Sequence, residues 1–291
     1  MASFQGNKIN PGRLGLGQIK FFAFLIPLGA IMILPIVFMF SQALKPLDEL
    51  FLFPPTFIVQ KPTFDNLSTL LSLKDMSVIP VTKYLFNSIV VSSVVVALSL
   101  LSSAMTGYAL SKKKFRLRKL LFEINTIALM FVPAAVTIPR YLVVEKIGLI
   151  NTYGGHILPL LALPVGVFLV KQFVDQIPNE LIEASAIDGA RDYAVFTKIV
   201  LPLIKPAMAT VAILAFQSVW NNAETSSLFM SKETLKTFAF YMTTLTTTVG
   251  NNVAGQGVAA AAALIMFIPN LIIFIFMQSK VMDTMAHSGL K

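Results

Sequence analysis

Residues 176–206 read QIPNELIEASAIDGARDYAVFTKIVLPLIKP, and the organisation of the whole chain can be worked outward from them. The stretch is amphipathic, lies between two long apolar runs, and reads as two short helices around a glycine. Asn179, after Pro178, is placed to cap the first helix, and Gly189 can take the left-handed conformation that ends it. Asp192 is placed to cap the second. Ile182, Ala186 and Ala190 repeat at helical spacing in the first half, and Tyr193, Phe196 and Val200 share a face in the second. Ala184, Ser185 and Ala186 are small enough to let another surface approach closely, and Glu183 beside them offers a charge to a cationic partner. These features describe a docking knob. Periodicity alone fits equally well with an amphipathic pair resting on a membrane surface.

The surroundings demand a membrane. The chain has 291 residues, 56% hydrophobic and 13% charged, with a mean hydropathy of +0.76, which is far too apolar for an ordinary soluble domain. Spanning the hydrocarbon takes roughly 20 apolar residues per helix, because no backbone group can stay unpaired in lipid. Six stretches qualify, at about 20–41, 84–110, 120–142, 156–175, 203–225 and 257–279. The first, Phe21 to Phe40, is longer than a signal-peptide core and is followed by no small-residue cleavage pattern before Lys45, so it reads as a retained helix.

Charge sets the expected orientation. Lys112, Lys113, Lys114, Arg116, Arg118 and Lys119 crowd into the loop after the second span, which the positive-inside rule places in the cytoplasm. Alternation then puts both termini there, with Lys8, Arg13 and Lys20 before the first span and Lys280 and Lys291 after the last. Segment 42–83 falls outside. It balances its lysines against its acids and is rich in proline (Pro46, Pro54, Pro55, Pro62, Pro80), as suits a packed external excursion.

Several chemistries drop out. No cysteine is present, which excludes disulfides, thiolate metal sites and cysteine nucleophiles. His156 and His287 are read as satisfied polar residues, and no metal or bound cofactor is expected. The net charge of +9 sits in short blocks beside apolar runs, as for anchors facing anionic lipid, so nucleic acid is not an expected partner. Ionisable residues are scarce in the spans, with Glu123 and Glu224 near span ends, so no proton relay is visible and ion-coupled transport is disfavoured. The phosphate-loop pattern of nucleotide-binding chains is absent.

The order of residues in the 177–202 loop decides between its two readings. Glu183-Ala184-Ser185, Asp188-Gly189-Ala190, Phe196, Ile199, Leu201-Pro202 and Pro206 resemble the EAA motif of binding-protein-dependent ABC permeases. The resemblance covers most of the chain and points to the carbohydrate-uptake branch, near the six-span subunit of maltose-type importers. It is carried further by Leu44-Lys45-Pro46 with Asp48-Glu49, Pro62-Thr63 with Asn66, Asn87-Ser88, Gly107-Tyr108-Ala109-Leu110, Gly148-Leu149-Ile150-Asn151-Thr152, Trp220-Asn221 and Pro269. Ser185 stands where the motif usually has a second alanine, and the tail Met285 to Lys291 approaches the family's glycine-rich finish without reproducing it.

The resemblance implies an all-α integral membrane fold, with six transmembrane helices between residues 20 and 279 and a cytoplasmic coupling-helix pair between spans four and five. Short cytoplasmic segments, 1–19 and 280–291, would flank this domain. It implies a non-catalytic permease in the cytoplasmic membrane of a bacterium or archaeon, importing a sugar or oligosaccharide. The expected partners are a second homologous permease in a heterodimer, two ATP-binding subunits that hold ATP and Mg, and an external solute-binding protein. Glu183, Ala184, Ser185, Asp188, Gly189, Ala190, Phe196 and Pro202 would form the ATPase-coupling site, with Glu183 pairing to an arginine of that subunit. An importer of a non-sugar solute remains the first alternative, because the motif reports the motor and not the cargo, and an ion-coupled secondary transporter the second.

Late in span five, Gln217, Trp220, Asn221 and Asn222 form a polar cluster beside Glu224. An indole that stacks on a pyranose with amides that bond its hydroxyls would suit a sugar path, and an interfacial anchor with helix-capping asparagines fits the same residues. Asn270 beside Pro269 is read as a kink with a polar interhelical contact, and the run Ala259 to Ala263 as a close-packing face toward a neighbouring subunit.

Overall fold

A computed structural model of the chain describes residues 16–72, 79–248 and 252–288, with side chains from residue 19 to 278 inside those limits. The N-terminal anchors Lys8 and Arg13 and the end of the tail, 289–291, lie outside the described residues, as do 73–78 of the external segment. No side-chain description extends to Lys280 or His287. The described residues are helical and contain no strand. In chain order the helices are α1 (Leu16–Leu44), α2 (Leu47–Leu50), α3 (Asp65–Ser72), α4 (Val81–Lys112), α5 (Arg118–Ala128), α6 (Thr137–Lys146), α7 (Tyr153–Leu161), α8 (Pro164–Asp175), α9 (Asn179–Ile187), α10 (Asp192–Val195), α11 (Leu201–Leu203), α12 (Lys205–Trp220), α13 (Glu224–Phe229), α14 (Phe238–Thr248) and α15 (Val253–Ser288).

Three of them, α1, α4 and α15, are each long and apolar enough to cross a bilayer. The apolar stretch of α1 is unburied within the chain, with Phe21, Phe24 and Met32 each about 70% exposed, so its outer surface is left for lipid. The other three expected spans are bent. The third divides into α5 and the 3-10 and α-helical stretch Pro133–Lys146 at 112°, because the chain turns after Ala128 and restarts at a proline. α7 and α8 meet at 43° across Leu163-Pro164. The span expected at 203–225 is a helix only to Trp220, and the segment Asp192–Leu203 meets it at 79°.

α4 is the central post, buried against α8 and α12. Its approach to α8 depends on missing side chains: a Cβ on Gly107 would sit 2.5 Å from Val170 Cγ1 and 3.0 Å from the Lys171 backbone nitrogen, and one on Gly166 would sit 2.7 Å from Ser103 Oγ. Gly107→Leu therefore forces these helices apart, at about 1–3 kcal/mol or more. Thermal unfolding of the purified chain in detergent should show a clearly lowered Tm, whereas an unchanged Tm would mean that the helices are not locked at this point.

The end of the molecule away from the basic loop is held by buried polar groups on backbone partners. Asn66 donates to the carbonyls of Ala43 (3.1 Å) and Lys45 (2.7 Å), closing the end of α1, and buried Glu49 accepts from the amides of Gln60 (3.0 Å) and Lys61 (2.6 Å). The buried ammonium of Lys45 donates to the Thr56 carbonyl. Segment 42–83 is thus a packed unit over its described residues. Asn87, fully buried in α4, donates to Thr234 O (2.9 Å) and Lys236 O (2.8 Å) and accepts from the Tyr153 hydroxyl (2.7 Å). Its neighbour Ser88 accepts from the Phe238 amide. Gly148 and Asn151 both adopt positive φ, 73° and 58°, and the Asn151 carboxamide binds Ser231 and the Lys232 amide.

Ala261 and Ala262 are completely buried, but in this chain's own core with Val81, Tyr84 and Phe238. The close-packing run is satisfied internally at these two positions, while Ala259, Ala260 and Ala263 are half-buried.

Candidate coupling site and translocation path

The loop of residues 177–202 folds as two helices about Gly189, whose φ is 79°. The Gly189 amide donates to Ala186 O (3.1 Å) and the Ala190 amide to Ser185 O (2.9 Å), the paired bonds of a left-handed helix stop. Neither expected N-cap forms. Pro178 and Arg191 hold the capping positions without side-chain bonds, and Asn179 and Asp192 each fall one residue inside a helix. Both are used elsewhere, because the basic loop reaches them. Lys112 Nζ donates to Ile177 O (2.5 Å) and Asn179 Oδ1 (3.0 Å), and Lys113 pairs with Asp192 Oδ1 at 2.5 Å. That hydrogen bond raises the Lys113 pKa above its ordinary value. Ser111 and Lys171 meet on Asp175 at 2.5 and 2.6 Å just below. Two stretches separate in sequence thus form one assembly.

Its inward side is a packed core of Ala104, Tyr108, Val170, Val174, Val195 and Val200, against which Ile182, Ala190 and Phe196 rest. Phe196 stacks obliquely on Tyr108 with ring centroids 5.4 Å apart. Ser185 is buried, its hydroxyl bonded to Ile182 O at 2.7 Å, so it supports the knob from beneath and does not line the outer face. Glu183, Ala184, Ala186, Asp188 and Pro202 are exposed.

Two large side chains are exposed on the helix pair where the sequence pattern did not put them. Ile187 is 86% exposed and Tyr193 is 78% exposed. Tyr193 does not share the face of Phe196 and Val200, because a π turn over Phe196–Val200 changes the period and brings Val195 and Val200, five residues apart, to the same buried side. Ile187 lies off the expected stripe, directly before Asp188-Gly189, where an apolar residue at a helix stop is the available sign. The helix pair thus presents two large exposed apolar side chains, with Glu183 and Asp188 exposed on the same pair, as a contact anchor would.

The second candidate cluster divides. Trp220 is buried (5% exposed), stacked on Phe216 at 5.4 Å, and its indole N–H donates to Met266 O at 3.0 Å. The ring packs between α12 and α15, and with Ile89, Ser92 and Pro269 it borders a cavity of about 590 Å³. Asn222 Oδ1 accepts from the Thr225 amide (2.9 Å) and hydroxyl (2.8 Å), the capping role. Gln217 and Asn221 remain exposed. Glu224 is engaged by Arg140 at 3.3 Å and Thr137 at 3.1 Å, which ties α13 to α6. Asn270 donates to Met266 O (3.0 Å) one turn back in α15 and reaches Asn221 Oδ1 at 3.5 Å, the expected contact between helices. His156 is fully buried, its ring nitrogens 2.8 Å from Thr225 Oγ1 and 3.1 Å from Leu235 O.

The chain belongs to the family of binding-protein-dependent transport system inner membrane components, which matches residues 99–279. It is 35% identical over 205 residues, 70% of this chain and 72% of the relative, to the arabinooligosaccharides transport system permease protein AraQ of Halalkalibacterium halodurans. It is 27% identical over 208 residues, 70% of this chain and 74% of the relative, to the melibiose/raffinose/stachyose import permease protein MelC of Bacillus subtilis. Its fold matches a chain in the crystal structure of a bacterial ABC transporter involved in the import of the acidic polysaccharide alginate, with a TM-score of 0.78, 21% identity and coverage of 92% of this chain and 98% of that one.

Proposed function

We propose that this chain is one of two permease halves of an ATP-driven importer that carries a sugar or oligosaccharide from an external solute-binding protein into the cytoplasm. The observation that carries the reading is the knob. Ile187 and Tyr193 stand exposed on a helix pair whose base is fixed by Lys112, Lys113 and the Tyr108–Phe196 contact, so a push on the tip is delivered to α4 and α8. A separate ATPase subunit, two copies per importer, would close on the tip when it binds ATP and Mg, with Glu183 meeting a cationic side chain. The pore would then alternate between outward-open and inward-open states. With each bent pair counted as one crossing, up to six crossings are available, and the positive-inside rule would then put the basic loop, the knob and both termini in the cytoplasm. The second permease is a homologue, giving a heterodimeric pore.

The sugar assignment is supported by the substrates for which the relatives are named, arabinooligosaccharides and melibiose, raffinose and stachyose. Within the path cluster, Gln217 and Asn221 are the groups open to passing hydroxyls, while Trp220 and Asn222 hold the helix end.

The test is uptake of labelled raffinose and arabinooligosaccharides into proteoliposomes holding the assembled importer. Uptake should require internal ATP and external binding protein and should survive a proton ionophore. Uptake that persists without ATP and collapses with the ionophore would show an ion-coupled carrier.

A further inference from the structure

Of the six cations in the basic loop, the knob uses two. Lys112 and Lys113 are spent on Ile177, Asn179 and Asp192. The rest turn the other way and line a groove of about 470 Å³ between the loop, the first turn of α5 and α8. Its walls are Lys114, Arg116, Arg118 and Lys119, and Phe122 and Lys171 form its floor. Lys171 lies 4.3 Å above the Phe122 ring and is neutralised by Asp175 at 2.6 Å. No carboxylate lines the groove. Among the described residues Lys119 has Glu123 at 3.9 Å, Arg118 feels the charge of Asp175 without a direct ion pair, and Lys114 and Arg116 have no ion-pair partner.

The helix that starts at this groove has no buried residue. Leu120, Ile124 and Ile127 make a stripe along it, each between 52% and 54% exposed. Such a stripe suits acyl chains, and it begins within one helical turn, about 5.4 Å, of the cationic walls. One ligand chemistry fits both: a phosphodiester with hydrocarbon attached.

We propose that the groove formed by Lys114, Arg116, Arg118, Lys119 and Phe122 is a binding site for the headgroup of an anionic phospholipid, whose acyl chains run along Leu120, Ile124 and Ile127. Its volume lies in the range of small-molecule sites, roughly 300–1,000 Å³. The guanidinium groups of Arg116 and Arg118 suit phosphate oxygens bidentately. Because the same loop grips the coupling helices through Lys112 and Lys113, an occupied groove would steady the base of the knob.

Native mass spectrometry of the full chain in detergent tests the assignment, with phosphatidylglycerol or phosphatidylcholine added at equal concentration. Phosphatidylglycerol should be retained the more strongly. Each interfacial Lys or Arg contributes about fivefold to attraction for an anionic surface, so Arg116→Gln with Arg118→Gln should weaken retention on the order of 20-fold. Arg116→Lys with Arg118→Lys should keep most of it, and Lys61→Gln with Lys146→Gln, the same charge loss elsewhere, should leave it unchanged. Equal retention of the two lipids by the native chain would overturn the site, as would full retention by the double glutamine variant. Displacement by millimolar inorganic phosphate would make it a soluble-anion site and overturn the lipid assignment.

Discussion

Gly189→Val reduces substrate uptake to background while the chain still reaches the membrane at normal abundance. The elbow requires φ of 79°, which costs an L-residue about 1–2 kcal/mol and a β-branched one more. A Cβ at this position would meet nothing within 4 Å, so the effect comes from backbone conformation and not from a clash. The bundle therefore tolerates the variant, but the two bonds that close the helix stop, Gly189 to Ala186 and Ala190 to Ser185, are lost, and the tip carrying Ile187 is redirected. Asparagine accepts left-handed backbone far better than valine, so Gly189→Asn should retain uptake within a few-fold. Transport assays on both variants, with membrane abundance measured alongside, make the comparison. Equal loss in both would assign the defect to side-chain size at the tip, and normal uptake in the valine variant would remove the elbow from the mechanism.

Asn87→Leu should be the most destabilising single change in the outer half of the bundle. The carboxamide is fully buried and serves three groups at once: the carbonyls of Thr234 and Lys236 and the hydroxyl of Tyr153. Leucine nearly preserves volume but leaves them unpaired in a dry site, where each orphaned group costs about 1–3 kcal/mol. The sum, roughly 3–5 kcal/mol after relaxation, is a large share of a typical domain's stability. Thermal unfolding in detergent should show a drop in Tm well beyond that of Tyr153→Phe, which removes one of the three bonds. A drop no larger than that of Tyr153→Phe would show that the loop at 234–236 finds other donors.

How much of this was legible in the sequence depended on whether the deciding interactions were local. The continuous apolar runs of α1, α4 and α15 announce themselves, because hydropathy summed along a helix is what a bilayer reads. The 112° bend in the third run is invisible to that sum, since turning the chain at residues 129–132 leaves its mean hydropathy unchanged. Gly189 was readable because the helix stop is a local motif. Tyr193 was misplaced because a five-residue π turn breaks the period on which face assignments depend. Ser185 was placed on the outer face for its size, but the core beneath α9 fixes it inward. Asn66, Asn87 and Glu49 stood out as motif residues with no visible role, because their partners are backbone groups brought near only by the fold. The asparagines after Trp220 looked like a substrate surface, yet Asn222 caps a helix that hydropathy had merged into the span.

The central claim is that the tip of the helix pair is the contact through which a separate ATPase drives this permease. The chain has no cysteine, so single cysteines at Ala184 and Ile187, both exposed, and at Ser185, which is buried, give a clean three-position experiment in the assembled importer. Thiol crosslinking to the ATPase subunits should occur from Ala184→Cys and Ile187→Cys, change in yield between the ATP-bound and nucleotide-free states, and fail from Ser185→Cys. If the exposed positions label only with lipid-phase reagents and never reach an ATPase, the helix pair is a membrane-surface element and the coupling account is contradicted.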